Sequence, residues 1–326
     1  MIGEKKRVNN SPLISILIPC RAIDLESIES AKKCLELDYE NVEVFLLPDK
    51  KSDLSIDSER LTIIPTGIIP PSRKRMMALE FVKGDLIALL DSDAFPEKLW
   101  LSNAIPFFSN EEIGAVGGPS ITPENDNIMS KAGGIVLSSK IGGGNLSFRY
   151  SSKKEISVDD LPSCNLIIRK SLIDDMGGFA CDYWPGEDTY LCLQIKKLGF
   201  KIIYSPKVKV YHHRRPLFRK HLKQIWDYGL HRGFFSKKFP QNSRKIFYFL
   251  PSILDISILV GIFLSFVIND FWIIFIIGLS IYFTVAILEG IKTKNIFLLF
   301  IIPIGIILTH ITYGVSFIFG LLSNNV

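Results

Sequence analysis

The chain has 326 residues and carries 38 Lys and Arg against 33 Asp and Glu, a net charge of +5, with 48% hydrophobic residues. This length holds one large domain or two ordinary ones, and the five cysteines, which form no CxxC pair, predict free thiols rather than a disulfide framework. The modest positive charge lacks the interleaved aromatic residues of a nucleic-acid surface, so we expect no nucleic-acid partner and favour anionic lipid headgroups instead.

The first two thirds of the chain alternate strand and helix signals. The start, MIGEKKRVNNS, is polar and basic, which predicts no signal peptide. Apolar runs follow in LISILIPC, VEVFLLPD, LTIIP, GDLIALLD and IGAVGGP, and helix-compatible stretches lie between them. The alternation predicts an α/β fold with a largely parallel, doubly wound, Rossmann-like sheet.

A stretch rich in Gly, Ser, Asn and Lys interrupts this pattern between residues 122 and 160. We expect a long loop there, and its glycines at 133–144 fit either a mobile lid or an inert connection. Strand and helix signals resume with CNLIIRK and continue to KVKVYHH.

Two acids, Asp91 and Asp93, directly follow the apolar run of LIALL. Ligands bind at the carboxyl edge of an open α/β sheet, and residues i and i+2 of an extended chain point to the same side. Both carboxylates can therefore converge on one hard cation such as Mg²⁺ or Mn²⁺. From the spacing alone, a solvated turn or a helix cap is the other interpretation.

Three long apolar blocks occupy residues 246–268, 271–288 and 296–322, and each is long enough to span a bilayer. Only Asn269 and Asp270 join the first two, so that pair forms a tight hairpin or a re-entrant unit. Basic residues precede the first block, and Lys292 and Lys294 join the second to the third. The positive-inside rule then predicts a multi-pass plasma-membrane protein with a cytoplasmic domain over 1–215, a basic amphipathic interfacial segment over 216–245 and a membrane domain over 246–326.

Five segments between residues 11 and 233 resemble, in order and spacing, the family 2 glycosyltransferases, particularly membrane-anchored members that build polysaccharides and glycolipids. The resemblance implies the GT-A nucleotide-sugar fold. SILIPCRA resembles the opening strand, which implies that Pro19 and Arg21 line the nucleotide pocket. LLPD implies that Asp49 contacts the base or ribose, although a turn acid at a strand end explains it too.

The segment PSRKRMMALEFVKGD resembles the part of the family that places an Arg, here Arg75, near the nucleotide. A solvated helix face is the alternative for Lys74 and Arg75. DSD resembles the motif for the metal and the nucleotide diphosphate, which implies metal ligation by Asp91 and Asp93 and a donor contact at Ser92. Some relatives use a His in the place of His212 as a third ligand, whereas a lone His is more often structural.

The segment WPGEDTYLCLQIKKLGFKI resembles the acceptor-side motif in which an acid pair opens a helix. Acids are favoured at a helix N-terminus by the helix dipole, so capping alone is one explanation. The resemblance implies that Asp188 is the catalytic base and that Glu187 positions the acceptor.

Two further segments complete the resemblance. SCNLIIRK implies that Asn165 lies near a sugar. QIWDYGLHRG suggests that Arg232 or His231 reaches the diphosphate, while Trp226 and Tyr228 equally fit an interfacial anchor.

These features predict a metal-dependent, inverting transfer of a sugar from a UDP- or GDP-type donor to a hydroxyl of a lipid-linked or glycan acceptor. A polyprenyl-phosphate glycosyltransferase is the closest alternative, but a phosphate nucleophile is already ionised and needs no base such as Asp188. A non-catalytic membrane-tethered scaffold that binds nucleotide sugars is the alternative from another class. A transporter is less favoured, because Asp255, Glu289 and His310 lie scattered among the spans.

Overall fold

A computed structural model describes residues 11–51, 56, 58–179 and 181–325. The start of the chain, on which the prediction of no signal peptide rests, therefore lies outside the described residues. The chain forms two compact units: one contains the residues up to Pro123 together with Ser151–His213, and the other contains Glu124–Tyr150 and the residues from Arg214 onward.

The first unit is built on an eight-stranded sheet with the order β3-β2-β1-β4-β9-β6-β10-β8. Its strands are β1 (Ile14–Pro19), β2 (Val42–Leu47), β3 (Leu61–Ile63), β4 (Leu86–Leu89), β6 (Ile113–Gly117), β8 (Ile156–Val158), β9 (Leu166–Arg169) and β10 (Lys201–Tyr204). Strands β3, β2, β1 and β4 are parallel, as are β6 and β10, whereas β9 runs antiparallel to both β4 and β6. The predicted α/β fold with a mostly parallel sheet is confirmed.

The continuous apolar runs became the central strands, since every residue of β1 and β4 is buried. Burial on both faces is what a strand covered by helices on either side requires. The helices of this unit are α1 (Leu25–Leu35), α2 (Pro71–Ala78), α3 (Trp100–Ala104), α5 (Lys170–Asp175) and α6 (Glu187–Lys197). Asp24 begins α1 with a capping box, in which the Ser27 amide donates to Asp24 and the Asp24 amide donates to Ser27.

A second, three-stranded sheet has the order β5-β11-β7. Its strands are β5 (Ala94–Pro96), β7 (Ser120–Ile121) and β11 (Val210–His212). The antiparallel register of β5 and β11 places His212 opposite Ala94. This pairing brings the end of the first unit back to the residues that follow β4.

The second unit contains six α-helices among the described residues: α4 (Ile128–Ser138), α7 (Arg219–Lys238), α8 (Pro240–Ser243), α9 (Ile246–Val267), α10 (Phe271–Ile291) and α11 (Ile296–Leu322). The last three are long and apolar enough to cross a membrane, judged by length and composition. The three predicted blocks of membrane-spanning length are therefore confirmed. Helix α7 occupies most of the predicted interfacial segment.

The glycine-rich stretch is not the long loop that its composition predicts. Asn127 caps α4 by accepting from the Ser130 amide, and the helix packs its Ala132 and Val136 against Ile302 and Ile306 of α11. Glycine here permits close packing rather than a turn, because a Cβ on Gly133 would lie 2.8 Å from the Arg215 carbonyl oxygen. The first part of the expected lid is thus a helix of the second unit.

Candidate active site

The two acids after β4 converge with His212 on one point. The Ala94 amide donates to the Asp91 carbonyl at 3.1 Å, which closes a tight turn, and His212 Nε2 lies 3.0 Å from Asp93 Oδ1. One ligand atom from each of Asp91, Asp93 and His212 lies within 4.8 Å of the others. The turn and the pairing of β5 with β11 produce this convergence, whereas the sequence argument relied on an extended chain.

Two carboxylates and an imidazole form a donor set that suits a divalent cation such as Mn²⁺ or Mg²⁺. Burial raises the pKa of the Asp91 carboxyl, and the neighbouring Asp93 charge raises it further. An added cation offsets both effects, so these residues fit a metal ion. His213 is directed elsewhere, since its Nε2 lies 3.3 Å from Glu29 of α1.

Arg75 on α2 lies between the Asp91 turn and the start of α6. Its guanidinium donates to Glu187 at 3.3 Å, to Asp91 at 3.5 Å and to the Ser163 hydroxyl at 3.3 Å. Only 1% of Arg75 is exposed, which excludes the solvated helix face as an explanation. A fully buried arginine is stable only when carboxylates and hydrogen bonds compensate it, and those partners come from three separate segments.

The acid pair opens α6, as its sequence predicts. Gly186 precedes it with a φ of 116°, a backbone conformation that favours glycine, and this turn directs Glu187 toward Arg75. Burial raises the pKa of Glu187 to about 7; Arg75 opposes that rise, and Asp188 adds to it. Asp188 accepts from the Thr189 amide at 2.7 Å and lies within electrostatic reach of Asp91.

Lys74 is buried in this region, although the sequence was also consistent with a solvated position for it. Its ammonium pairs with Asp49 and donates to the carbonyl oxygens of Cys20 and Leu47 at 2.6 and 3.1 Å. The Asp49 amide in turn donates to the Arg21 carbonyl at 3.1 Å. The carboxyl ends of β1 and β2 are thereby joined, and Asp49 lies beside the exposed Arg21 and next to the buried end of β1 at Pro19.

Asn165, which the resemblance places near a sugar, is buried within the fold of the first unit. Its exposure is 0%, and its amide accepts from Trp100 Nε1 at 2.8 Å and donates to the carbonyl oxygens of Pro119 and Val208. All of these partners belong to the fold of the first unit. The residue therefore connects β7, β9 and the chain before β11 and has no exposed group to offer a ligand.

Arg232 belongs to α7, in the second unit. It donates to the Ser243 hydroxyl at 3.1 Å, and its guanidinium lies 4.4 Å from the centroid of the Tyr248 ring. Trp226, on the same helix, packs beside Phe319 of α11.

Sequence reasoning missed the roles of Lys74 and Ser163. Lys74 adjoins Arg75 in a short basic run, and Ser163 lies two residues before Asn165. Lys74 contacts Asp49, and Ser163 contacts Arg75, only because the chain folds back over many residues. No local spacing in the sequence therefore indicates either contact.

Residues 86–319 match the family model described as glycosyl transferase family group 2. A Methanococcus voltae protein named dolichyl N-acetyl-alpha-D-glucosaminyl phosphate 3-beta-D-2,3-diacetamido-2,3-dideoxy-beta-D-glucuronosyltransferase is 26% identical over 96% of this chain and 98% of its own length. A pre-mycofactocin glycosyltransferase of Mycobacterium tuberculosis is 28% identical over 49% of this chain, and the match covers 33% of that relative.

The fold resembles that of the mannosyltransferase PcManGT from Pyrobaculum calidifontis, solved in complex with GDP-Man and Mn²⁺. The TM-score is 0.65 with 14% identity, and the match covers 95% of this chain and 90% of that one. At this level of identity the likeness concerns the fold, and it confirms the fold that the sequence predicted.

Proposed function

This chain belongs to the glycosyl transferase family group 2 and is a transferase, and on that premise we propose that it moves a sugar from a nucleoside-diphosphate sugar to a hydroxyl of a lipid-linked acceptor. The proposed reaction is a single displacement that inverts the anomeric carbon. The donor is of the UDP or GDP type, and a divalent cation assists.

One observation carries this proposal: a single buried guanidinium, that of Arg75, contacts both Asp91 and Glu187. Asp91 belongs to the proposed donor side and Glu187 to the proposed acceptor side. Transfer requires both substrates to be held in one geometry, and a shared rigid partner supplies that geometry. A protein that only bound nucleotide sugars would have no need of the acid pair.

On the donor side, Asp91, Asp93 and His212 would hold the cation. When bound, a divalent cation neutralises charge on a diphosphate leaving group. Pro19, Arg21, Asp49 and Ser92 are the proposed contacts of the nucleotide.

On the acceptor side, Asp188 is the proposed general base. The acceptor oxygen forms a bond to the anomeric carbon as the bond from that carbon to the diphosphate oxygen breaks, and the hydroxyl proton passes to Asp188. Glu187, held by Arg75, positions the acceptor.

A lipid-linked acceptor is supported by the three helices of membrane-spanning length and by the Methanococcus voltae relative, whose name describes a dolichyl-phosphate-linked substrate. A soluble acceptor would not require such helices. We further propose that the helices span the plasma membrane with the first unit on the cytoplasmic side, since basic residues flank the spans there.

Donor hydrolysis by the detergent-purified protein tests the proposal. A panel of UDP- and GDP-sugars is incubated with Mn²⁺ or Mg²⁺, and nucleoside diphosphate is measured. We expect slow, metal-dependent release from one donor that vanishes in Asp91→Ala and persists in the control Asp174→Asn, which alters an exposed acid on α5.

Acceptor transfer is then measured with Asp188→Asn. Loss of transfer with metal-dependent donor binding retained supports the role of a base. If donors are bound but none is hydrolysed or transferred, the scaffold interpretation replaces the transferase. If no donor of the panel is bound, the DSD segment is a turn and both interpretations fail.

A further inference from the structure

A cavity of about 570 Å³ opens in the first unit beside α2 and the segment that leads to α6. Arg73, Met76 and Met77 line it from the helix, and Cys181 and Asp182 line it from the segment. Its volume lies within the range of small-molecule binding sites. None of these residues has a role in the proposed transfer.

The cavity uses one face of α2. Arg73, Met76 and Met77 are spaced i, i+3 and i+4, which places them together on the helix surface. Lys74 points the other way, into the buried contacts with Asp49 and Cys20. The cavity therefore lies on the side of α2 away from the proposed nucleotide contacts.

The lining combines apolar surface with one accessible cation. Met76 and Met77 are 37% and 42% exposed, large values for apolar side chains that line a cavity. Lys74 and Arg75 are buried, whereas the Arg73 side chain is 49% exposed and pairs with Asp182, itself 89% exposed, at 2.8 Å. Such an exposed ion pair is weak, so an anion can take the place of Asp182 on Arg73 at little cost.

The same segment lines the cavity and carries the acid pair. The Ser72 hydroxyl donates to the Cys181 carbonyl at 3.3 Å, which fixes the segment to the start of α2, and Arg75 fixes Glu187 to the same helix. A ligand in the cavity would therefore contact the segment that leads to the acid pair.

We propose that this cavity binds the phosphate and the first apolar carbons of the acceptor lipid, with the phosphate on Arg73 and the carbons on Met76 and Met77. Arginine provides the planar pair of donors that phosphate oxygens accept, and methionine adapts to a flexible chain. The inference rests on the proposed lipid-linked acceptor and names the part of that lipid which the enzyme recognises.

Cys181 provides a test that needs no turnover. It is the partly exposed cysteine among the five, the other four being buried. Burial raises the pKa of its thiol, so labelling with a maleimide is followed at mildly alkaline pH by mass spectrometry of the full-length protein in detergent. The probes are farnesyl phosphate, farnesol and inorganic phosphate.

We expect farnesyl phosphate to slow the labelling of Cys181, and farnesol and inorganic phosphate to do so only at much higher concentration. Arg73→Gln weakens protection by farnesyl phosphate about tenfold, the loss expected for one charge-assisted contact. Met76→Glu also weakens it, while Leu25→Glu, which alters an exposed apolar residue of α1, leaves it unchanged. Titration with radiolabelled farnesyl phosphate gives the same comparison if the thiol reacts too slowly.

Equal protection by farnesol and farnesyl phosphate, unaffected by Arg73→Gln, overturns the assignment of the phosphate. Absence of both protection and binding overturns the lipid site altogether. Either result leaves metal-dependent donor hydrolysis intact if the proposed function holds, so the two failures are distinguishable.

Discussion

Arg75 Nη1 lies 3.3 Å from Glu187 Oε1, although the two residues are 112 positions apart in the chain. The same guanidinium reaches Asp91, whose carboxyl is half-buried beside Asp93. The acid pair and the DSD turn therefore share one cation that is itself out of contact with solvent. Anything that moves Arg75 moves both sides of the proposed reaction together.

Replacement of Arg75 by lysine is expected to lower the kcat of sugar transfer by about 100-fold, since a lysine cannot reach both carboxylates with the geometry of a guanidinium. The variant keeps the positive charge, so the melting temperature should fall only moderately. Lys201→Gln, which removes an exposed ion pair with Glu112, is the control and should alter neither quantity. Wild-type kcat in Arg75→Lys would show that the shared contact has no role in positioning.

Removal of the imidazole of His212 is expected to weaken Mn²⁺ binding by at least about tenfold. Loss of a residue that only hydrogen-bonds to a metal ligand already lowers metal affinity by about that factor, so loss of a ligand should cost no less. The measurement is the electron paramagnetic resonance signal of free Mn²⁺ during titration of His212→Ala. His213→Ala is a matched control, because that neighbour pairs with Glu29. Equal weakening by both variants would contradict a specific ligand role.

The stability of the protein should depend on pH through Glu187. Its pKa in the folded protein is about 7, above the ordinary value of 4.5, so the folded state holds this proton more tightly than the unfolded chain does. The stabilisation is complete below 4.5 and is lost as the pH rises through 7, an effect of roughly 3 kcal/mol at about 1.4 kcal/mol per unit.

Glu187→Gln cannot titrate at this position, and it serves as the reference. Melting temperatures of the metal-free protein are compared between pH 4.5 and 7, the two pKa values just given. Over that window we expect the wild type to lose stability relative to the variant. If the difference in melting temperature between the wild type and Glu187→Gln stays constant with pH, the folded and unfolded states bind the Glu187 proton equally well.

Addition of a methyl group at Gly233 should destabilise the packing of α7 against α11. A Cβ there would lie 2.1 Å from the Phe317 carbonyl oxygen, so the helix backbones must separate. We expect Gly233→Ala to cost about 1 to 3 kcal/mol, which a lower melting temperature in detergent would reveal.

Gly278→Ala is the matched control for this helix contact. Gly278 also lies in a long apolar helix, α10, but a Cβ there meets no atom of the described residues within 4 Å. Its melting temperature should equal or exceed that of the wild type, because alanine favours a helix. Equal losses in both variants would contradict a specific clash at Gly233, because helix propensity favours alanine over glycine and cannot itself lower stability.

Several properties of this protein followed from the sequence by itself. The apolar runs became β1 and β4, the acids at 91 and 93 fell at the carboxyl end of β4, and the three apolar blocks became α9, α10 and α11. Each is a local pattern, in which neighbouring residues determine one strand or helix and the point where it ends. Such local patterns predict the folded structure because the apolar residues that define them are the ones that folding buries.

Tertiary structure alone decided which distant groups meet. His212 joins Asp93 because β11 pairs with β5, Arg75 joins Glu187 across 112 residues, and Asn165 is occupied by Trp100 and two carbonyl oxygens. Gly133 permits a packed helix rather than a loop, since only the neighbouring chain reveals the need for close approach. These contacts depend on the packing of separate elements, and a one-dimensional pattern carries no record of that packing.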